Sequence, residues 1–466
     1  MTDSKTKQVP YGAYHKTKIP AHDPEITESQ PGSPMGELMR KIWQPVCLSE
    51  ELTDVPKAIR ILNEDLVAFR DRSGRVGVLQ RHCSHRGTSL EYGIIQPNGI
   101  RCCYHGWVYD VDGTILEMPA EPKDSKIYDS VVHGSYPALE RDGLVFAYMG
   151  DPAEKPDFPE FDGFHYPKGT KLVPFSNIYP CNWLQVYENI MDHIHTALLH
   201  TNMTVDSVDA STKGDLNLDG FEDFPIMDWE QTRNGNGMVF IANRRNPDQQ
   251  SIWVRITEMS FPNLLQIGCL FPSARRERHS AVCLTRWHVP VDNENMIIFG
   301  FRHFNDEIDP DKAGLEEDCG YDRIDFLVGQ TGGRSYEEGQ RAPGDWEALG
   351  SQRPIAVHAL ENPGHSDMGV YLCRKLLRGL ARGETPADTS RAISAGGKDT
   401  LHMYSQDSVL NVPMQSGTDD AELMKGYGRQ ILAIMQEADE LPSDKRDAYV
   451  RSRLDDLDGG YRQAAE

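Results

Sequence analysis

Between Pro56 and Ala147 the apolar positions fall in short runs broken by turn residues, a pattern of strands rather than helices. ILNEDLVAFRD and RVGVLQ flank a Ser73-Gly74 turn, and LVFAYMG closes the region. DPAEKPDFPEF, residues 151–161, is rich in proline and acids and marks a boundary. Residues 181–200 carry helical periodicity. From about 238 to 305, MVFIAN, SIWVRITEMSF, LLQIGCLF, SAVCLTRWHVPV and MIIFGFRHF predict an antiparallel sheet, with Asn-Pro and Asp-Asn-Glu-Asn turns. Beyond 310 the texture is helical. SDMGVYLCRKLLRGLARG offers Ser366 as N-cap and Gly383 as stop, and AELMKGYGRQILAIMQEADEL follows. A short amphipathic helix is expected at 37–43. The fold class is α+β: an arm with a helix over 1–39, a β-rich domain over 40–150, and a larger domain over 151–466 with a large antiparallel sheet covered by helices.

Composition narrows the function. The 466 residues suffice for two or three domains. A formal charge of -23 and a pI near 5.1 oppose a phosphate-tracking surface, so no nucleic acid is expected as partner. The polar N-terminus has no apolar core of a signal peptide, and no apolar run approaches membrane-spanning length. Nine scattered cysteines do not read as a disulfide framework, which fits a reducing cytoplasmic location. Gly235 and Gly237 lack a third glycine and precede a strand, so they read as a turn and not as a nicotinamide or flavin site.

The chemistry begins at residues 81–107, RHCSHRGTSLEYGIIQPNGIRCCYHGW. Cys83 and His85 form C-x-H, and Cys102 and His105 form C-x-x-H. Two thiolates and two imidazoles suit an asymmetric [2Fe-2S] centre of Rieske type, with histidines replacing cysteines on one iron. A zinc ribbon is the alternative, but zinc pairs usually run Cys with Cys and His with His. Cys103 does not fit the spacing and is expected to be a packed bystander. Gly87 and Gly106 allow close backbone approach, and Trp107 is expected to shield the cluster.

CNWLQVYENIMDHIHTALLH, 181–200, gathers Glu188, Asp192, His193, His195 and His200. Glu188, Asp192 and His195 share one helical face at i, i+4, i+7. His195 and His200, at i, i+5, point about 140° apart in a regular helix, so joint ligation needs a π-bulge or a break. A one-electron centre needs a consumer of electrons, and a 2-His-1-carboxylate Fe(II) site would serve.

C-x-H-x16-C-x-x-H followed by E-N-x-x-D-x-x-H-x4-H resembles the large, oxygenase subunit of the Rieske non-haem iron aromatic-ring oxygenases. The resemblance implies His195 and His200 as iron ligands and Asp192 as the carboxylate linking a cluster histidine to an iron histidine, with His193 a bystander. Spacing alone does not identify the third ligand. GDWEALGSQRPIAVHALENPGHSDMGV, 344–370, resembles the phthalate-dioxygenase branch and implies Asp345, with Glu347 as the second choice; GSPMGELMRKIWQPVCLSEEL resembles it as well. The chain departs from the branch at Arg353, Val357 and His358.

The resemblance further implies a head-to-tail homotrimer, or stacked trimers, in which one subunit's cluster serves the next subunit's iron. It implies a separate NAD(P)H-dependent flavin/iron-sulfur reductase, with or without a ferredoxin, and O2 and an aromatic carboxylate as substrates. Ring hydroxylation is the first expectation and O-demethylation with release of formaldehyde the second. Arg244, Arg245 and Arg255 are candidate carboxylate partners, and Asn182 and Glu188, which share the ligand helix, are expected to join Asp192 among the catalytic residues around the iron ligands. An electron-transfer protein using only the cluster, and a zinc-stabilised interaction protein, are the rival classes.

Overall fold

The computed structural model describes residues 19–200, 224–232, 237–270, 277–324, 329–384 and 401–465. Residues 1–18 of the expected arm and Gly235 lie outside the described residues. A helix at Pro34–Arg40 is capped by Ser33 and starts with proline, which is preorganised for a first turn. It ends before Trp43, which opens a strand, so the expected helix at 37–43 lies too far along the chain.

In chain order the first β-region contains β1 (Trp43–Leu48), β2 (Lys57–Ile61), β3 (Glu64–Arg70), β4 (Val76–Gln80), β5 (Ile94–Ile95), β6 (Ile100–Arg101), β7 (Val108–Tyr109), β8 (Ile115–Glu117), β9 (Ser135–Tyr136), β10 (Ala138–Arg141) and β11 (Leu144–Tyr148). They form three small antiparallel sheets, ordered β1-β11-β10, β2-β3-β4-β9 and β5-β6-β7-β8. ILNEDLVAFRD is not one strand. Leu62 and Asn63 take φ of 50° and 66° and turn the chain into the β2–β3 hairpin. Val67, Phe69, Leu79, Leu90, Ile100, Trp107 and Tyr109 pack with Cys83 and Cys102 into one small core.

The second region is built on β12 (Lys171–Tyr179), β13 (Ile226–Gln231), β14 (Gly237–Arg245), β15 (Ile252–Ser260), β16 (Leu264–Ile267), β17 (Leu284–Pro290), β18 (Met296–Phe304) and β19 (Gln406–Leu410). They make one antiparallel sheet, β12-β18-β17-β16-β15-β14-β13, with β19 and β16 sharing one side of β15. Side chains alternate. Val239, Ile241, Ile252, Val254 and Ile256 meet Met424, Ile431, Leu432 and Met435 of the helix Asp420–Glu437. Met238, Phe240 and Ala242 join the core on the other face, with Trp183, Leu184 and Leu377. The helix Met368–Ala381 begins after Asp367 rather than Ser366, while Gly383, at φ 68°, stands just past its end as expected.

Candidate active site

The two cluster loops have the same construction. Cys83 N–H donates to the Thr88 carbonyl at 2.9 Å and Gly87 N–H to the Cys83 carbonyl at 2.8 Å. Cys102 N–H donates to the Trp107 carbonyl at 2.8 Å and Gly106 N–H to the Cys102 carbonyl at 3.1 Å. Gly87 and Gly106 both have φ of 76°, a left-handed position that glycine adopts without strain. A β-bridge between His82 and Ser89 closes the first loop, and β6 and β7 close the second.

Both ligand thiols are buried, whereas Cys103 is exposed rather than packed. The His85 and His105 rings lie 4.4 Å apart, and Trp107 stacks on His85 at 4.8 Å and 5°, so the tryptophan covers a ligand ring as expected. Tyr109 Oη lies 3.0 Å from Cys83 Sγ. Burial pushes the Cys83 thiol up and the Tyr109 hydroxyl pulls the other way. Two adjacent buried thiols beside two paired imidazoles fit the [2Fe-2S] donor set.

The 181–200 stretch is broken, as ligation by both histidines requires. A helix runs over Trp183–Glu188, a 3-10 turn over Asn189–Met191, Asp192 leaves helical geometry at φ -100° and ψ 83°, and a second helix covers Ile194–Leu198. The break brings the rings of His195 and His200 to 5.2 Å. Asp345, first residue of the helix Asp345–Gly350, points its Oδ1 at both, 3.7 Å from His195 Nε2 and 3.5 Å from His200 Nε2. Two donors bound at right angles about 2.1 Å from one ion stand about 3 Å apart, so a small closure completes the site. Asp345 is 9% exposed, and its Oδ1 is buried without a hydrogen bond, an acceptor held ready for a cation.

Its other oxygen accepts from Gln330 Nε2 at 2.7 Å. Trp346 Nε1 donates to the Ile178 carbonyl at 3.0 Å, which fixes the Asp345 helix to β12. Burial opposes the Asp345 charge, but His200 and His195 hold its carboxyl below the usual range. Burial keeps His200 toward the neutral, ligating form. The His195 Nδ1 proton goes to the Asp192 main-chain carbonyl, so Nε2 carries the lone pair available to a metal, with Asn189 Nδ2 facing it at 3.4 Å.

Several expected roles are corrected by these contacts. Asp192 meets His195 through its main chain, and its Oδ1 accepts from the Ile194 N–H at 3.2 Å; the residue lines an open cavity of about 500 Å3 with Asn189, Arg353, Glu361 and Asp367. Glu188 is bound bidentate by Arg374, at 2.6 and 2.5 Å, and serves packing. Asn182 caps the helix Trp183–Glu188 and donates to the Thr27 and Asn293 carbonyls, remote from the histidines. Glu347 accepts from Gly344 N–H and Arg334 instead of joining the triad.

The arginines differ from expectation too. Arg245 pairs with Asp420, and Arg244 lies over the Trp253 ring at 5.1 Å. Arg255 does reach the metal side, but Asp407 holds it at 3.0 and 3.2 Å. The triad opens on a cavity of about 70 Å3 walled by Ile190, Phe240, Ile267 and Leu270, with His193, Asn189, Gln330 and Arg286 also on its surface. Sequence reasoning missed Asn189, Gln330 and Arg286. Asn189 stands in the E-N-x-x-D motif without having been given a role, and Arg286 is the one charge in the apolar run CLTRWHVP.

An electron-carrying centre and a separate open metal centre in one chain are the equipment of an oxygenase, and the relatives agree. Residues 42–137 match the Rieske [2Fe-2S] domain. The chain is 56% identical over 438 residues, 93% of each chain, to the tert-butanol monooxygenase / tert-amyl alcohol desaturase oxygenase subunit of Aquincola tertiaricarbonis. It is 39% identical over 374 residues to the phthalate 4,5-dioxygenase oxygenase subunit of Pseudomonas putida, covering 74% of this chain and 82% of that one. The fold is that of NdmB from Pseudomonas putida CBB5, with a TM-score of 0.55 at 19% identity over 80% of this chain and 98% of that chain.

The chain belongs to the Rieske non-haem iron oxygenases, as their large, oxygenase subunit. It is an oxygen-incorporating oxidoreductase that uses a Rieske [2Fe-2S] cluster and mononuclear iron, and such components work with a reductase or ferredoxin partner and O2. No helix among the described residues is long and apolar enough to cross a membrane.

Proposed function

We propose that this oxygenase component hydroxylates a compact, largely apolar substrate of the size of a short tertiary alcohol. The observation that carries the reading is the cavity of about 70 Å3 on which the His195, His200 and Asp345 triad opens, with its Ile190, Phe240, Ile267 and Leu270 walls. The 56% identity to a tert-butanol monooxygenase subunit supports it.

In this reading His195, His200 and Asp345 hold ferrous iron, and Cys83, His85, Cys102 and His105 hold the cluster. Iron bound there supplies activation of dioxygen. Asp192 fixes the His195 tautomer, Gln330 orients Asp345, and the apolar walls exclude water and seat the substrate carbon. The segment Glu188–Asp192 separates the metal cavity from the open cavity on the Asp192 side, and Asn189 lines both. A head-to-tail homotrimer, or stacked trimers, would seat a neighbour's His85 and His105 in that outer cavity, facing Asp192. The parts are an arm over 1–39, a cluster domain over 40–150 and a catalytic domain over 151–466, working in the cytoplasm with an NAD(P)H-dependent flavin/iron-sulfur reductase.

A second reading, hydroxylation of an aromatic carboxylate or O-demethylation of a methoxylated one, is favoured by the phthalate-type relative and by Arg286, which lines the cavity and has no carboxylate in an ion pair with it among the described residues. Single turnover of chemically reduced enzyme with O2, followed by mass analysis and a formaldehyde test, separates the two. A vicinal diol from tert-butanol supports the first. Ring hydroxylation of phthalate, or formaldehyde from a methoxybenzoate, with tert-butanol returned unchanged, replaces it with the second.

A further inference from the structure

Arg286 lies in the middle of the sheet, on β17, between Leu265 of β16 and Gly300 of β18. A Cβ at position 300 would come within 2.8 Å of the Phe175 ring and 2.9 Å of Arg286 Cβ, so glycine there leaves room for the arginine stem. Arg286 is 7% exposed and lines the cavity shared by His195, His200 and Asp345. Its Nε is fully buried without a hydrogen bond, and among the described residues no carboxylate pairs with its guanidinium.

Arg255, on the same cavity, shows the usual solution to this problem: Asp407, its direct cross-strand neighbour, neutralises it. Asp345 cannot do the same for Arg286, because one of its oxygens holds Gln330 and the other faces the imidazoles. Asp345 still acts on Arg286 through space, but a buried guanidinium without a direct hydrogen-bonded partner is costly, and the cost falls when a ligand brings lone pairs to it.

We infer that Arg286 anchors the oxygen function of the substrate, a carboxylate or a hydroxyl, and thereby sets which carbon the apolar walls present to the metal. A guanidinium binds a carboxylate through two parallel bonds and a hydroxyl through one. The inference rests on this cavity being the oxygenation site proposed above.

The test is anaerobic titration calorimetry of the iron-loaded oxygenase with pivalate, tert-butanol and phthalate, for wild type, Arg286→Gln and Arg286→Lys. The first two ligands share a tertiary carbon and differ in the oxygen group. Arg286→Gln is expected to weaken the preferred ligand about 10- to 100-fold with both metal contents unchanged. Its turnover is expected to show a larger rise in KM than fall in kcat. Loss centred on pivalate or phthalate, partly restored in Arg286→Lys, identifies a carboxylate. Loss centred on tert-butanol identifies the hydroxyl.

Unchanged affinity in both variants for every ligand that wild type binds overturns the anchor, as does a wild type that binds none of the three. Asp345→Ala serves as the control on the parent reading. If it keeps full turnover, oxygenation occurs elsewhere and that reading fails; if it loses turnover while the Arg286 variants bind normally, only the anchor fails.

Discussion

The cluster loops and the mononuclear centre solve the same problem, gathering metal donors, by opposite means. Cys83, His85, Cys102 and His105 sit on two short loops that repeat one hydrogen-bond pattern and one glycine conformation. The triad joins a broken helix to a residue 145 positions beyond His200, and Asp345 reaches it only because Trp346 is tied to β12 and Gln330 holds the carboxylate. Local geometry therefore makes the first site, and packing of the whole second region makes the other. The two should fail independently.

The largest effect expected follows from that independence. Asp345→Ala should abolish mononuclear iron and reduce turnover by more than the ~10- to 100-fold typical of outer partners of a metal ligand. The visible spectrum of the cluster should be unchanged. Metal analysis beside the spectrum checks it, and loss of both centres would show that they are coupled.

Next comes the link between the regions. Asp192→Asn should keep both metals and slow turnover by about 10- to 100-fold. The main-chain bond from Asp192 to His195 survives the substitution, so the loss would report the carboxylate itself, on a residue that lines the outer cavity. Rapid reoxidation of the cluster by the iron site in this variant would count against the proposed path between subunits.

The contrast also explains what could be read along the chain. Four cluster donors within one short stretch declare themselves, and alternating apolar runs gave the sheet because its strands are long and one face is covered by apolar helices. The helix break was foreseeable, since two histidines at i, i+5 cannot meet on a regular helix. Roles set by distant partners were not visible. Arg255 looks like a free cation until β19 lays Asp407 opposite it, and Glu188 looks catalytic until Arg374 arrives from another helix. Arg286 carries no motif at all; its meaning comes from its place on the cavity and from the lack of an ion-paired carboxylate among the described residues.

A smaller effect tests the packing side of the comparison. Asn182→Ala removes a helix cap and the donor to the half-buried Asn293 carbonyl, while the buried Thr27 carbonyl keeps only the longer bond from Trp183 Nε1 at 3.3 Å. The cost is about 2 kcal/mol, one cap plus the weakened hydrogen bonding of the two carbonyls. Denaturant unfolding should show it in the second region, with the cluster spectrum retained at denaturant concentrations that already release iron.

The smallest expected effect lies in the cluster loops. Tyr109 Oη, 3.0 Å from Cys83 Sγ, can only donate if it stays protonated, and burial together with Cys83 raises its pKa. A donor to a ligand sulfur stabilises the extra electron of the reduced cluster, so it raises the reduction potential. Tyr109→Phe should lower the potential by about 40 mV, one hydrogen bond of roughly 1 kcal/mol expressed for one electron. Because the phenol does not ionise near neutrality, the difference from wild type should be constant between about pH 6 and pH 9. A difference that changed with pH would mean that the substitution acts through another titrating group, with His133 the nearest ring at 4.3 Å. A constant difference would confirm that even this fine adjustment is made within the loops, without help from the large sheet.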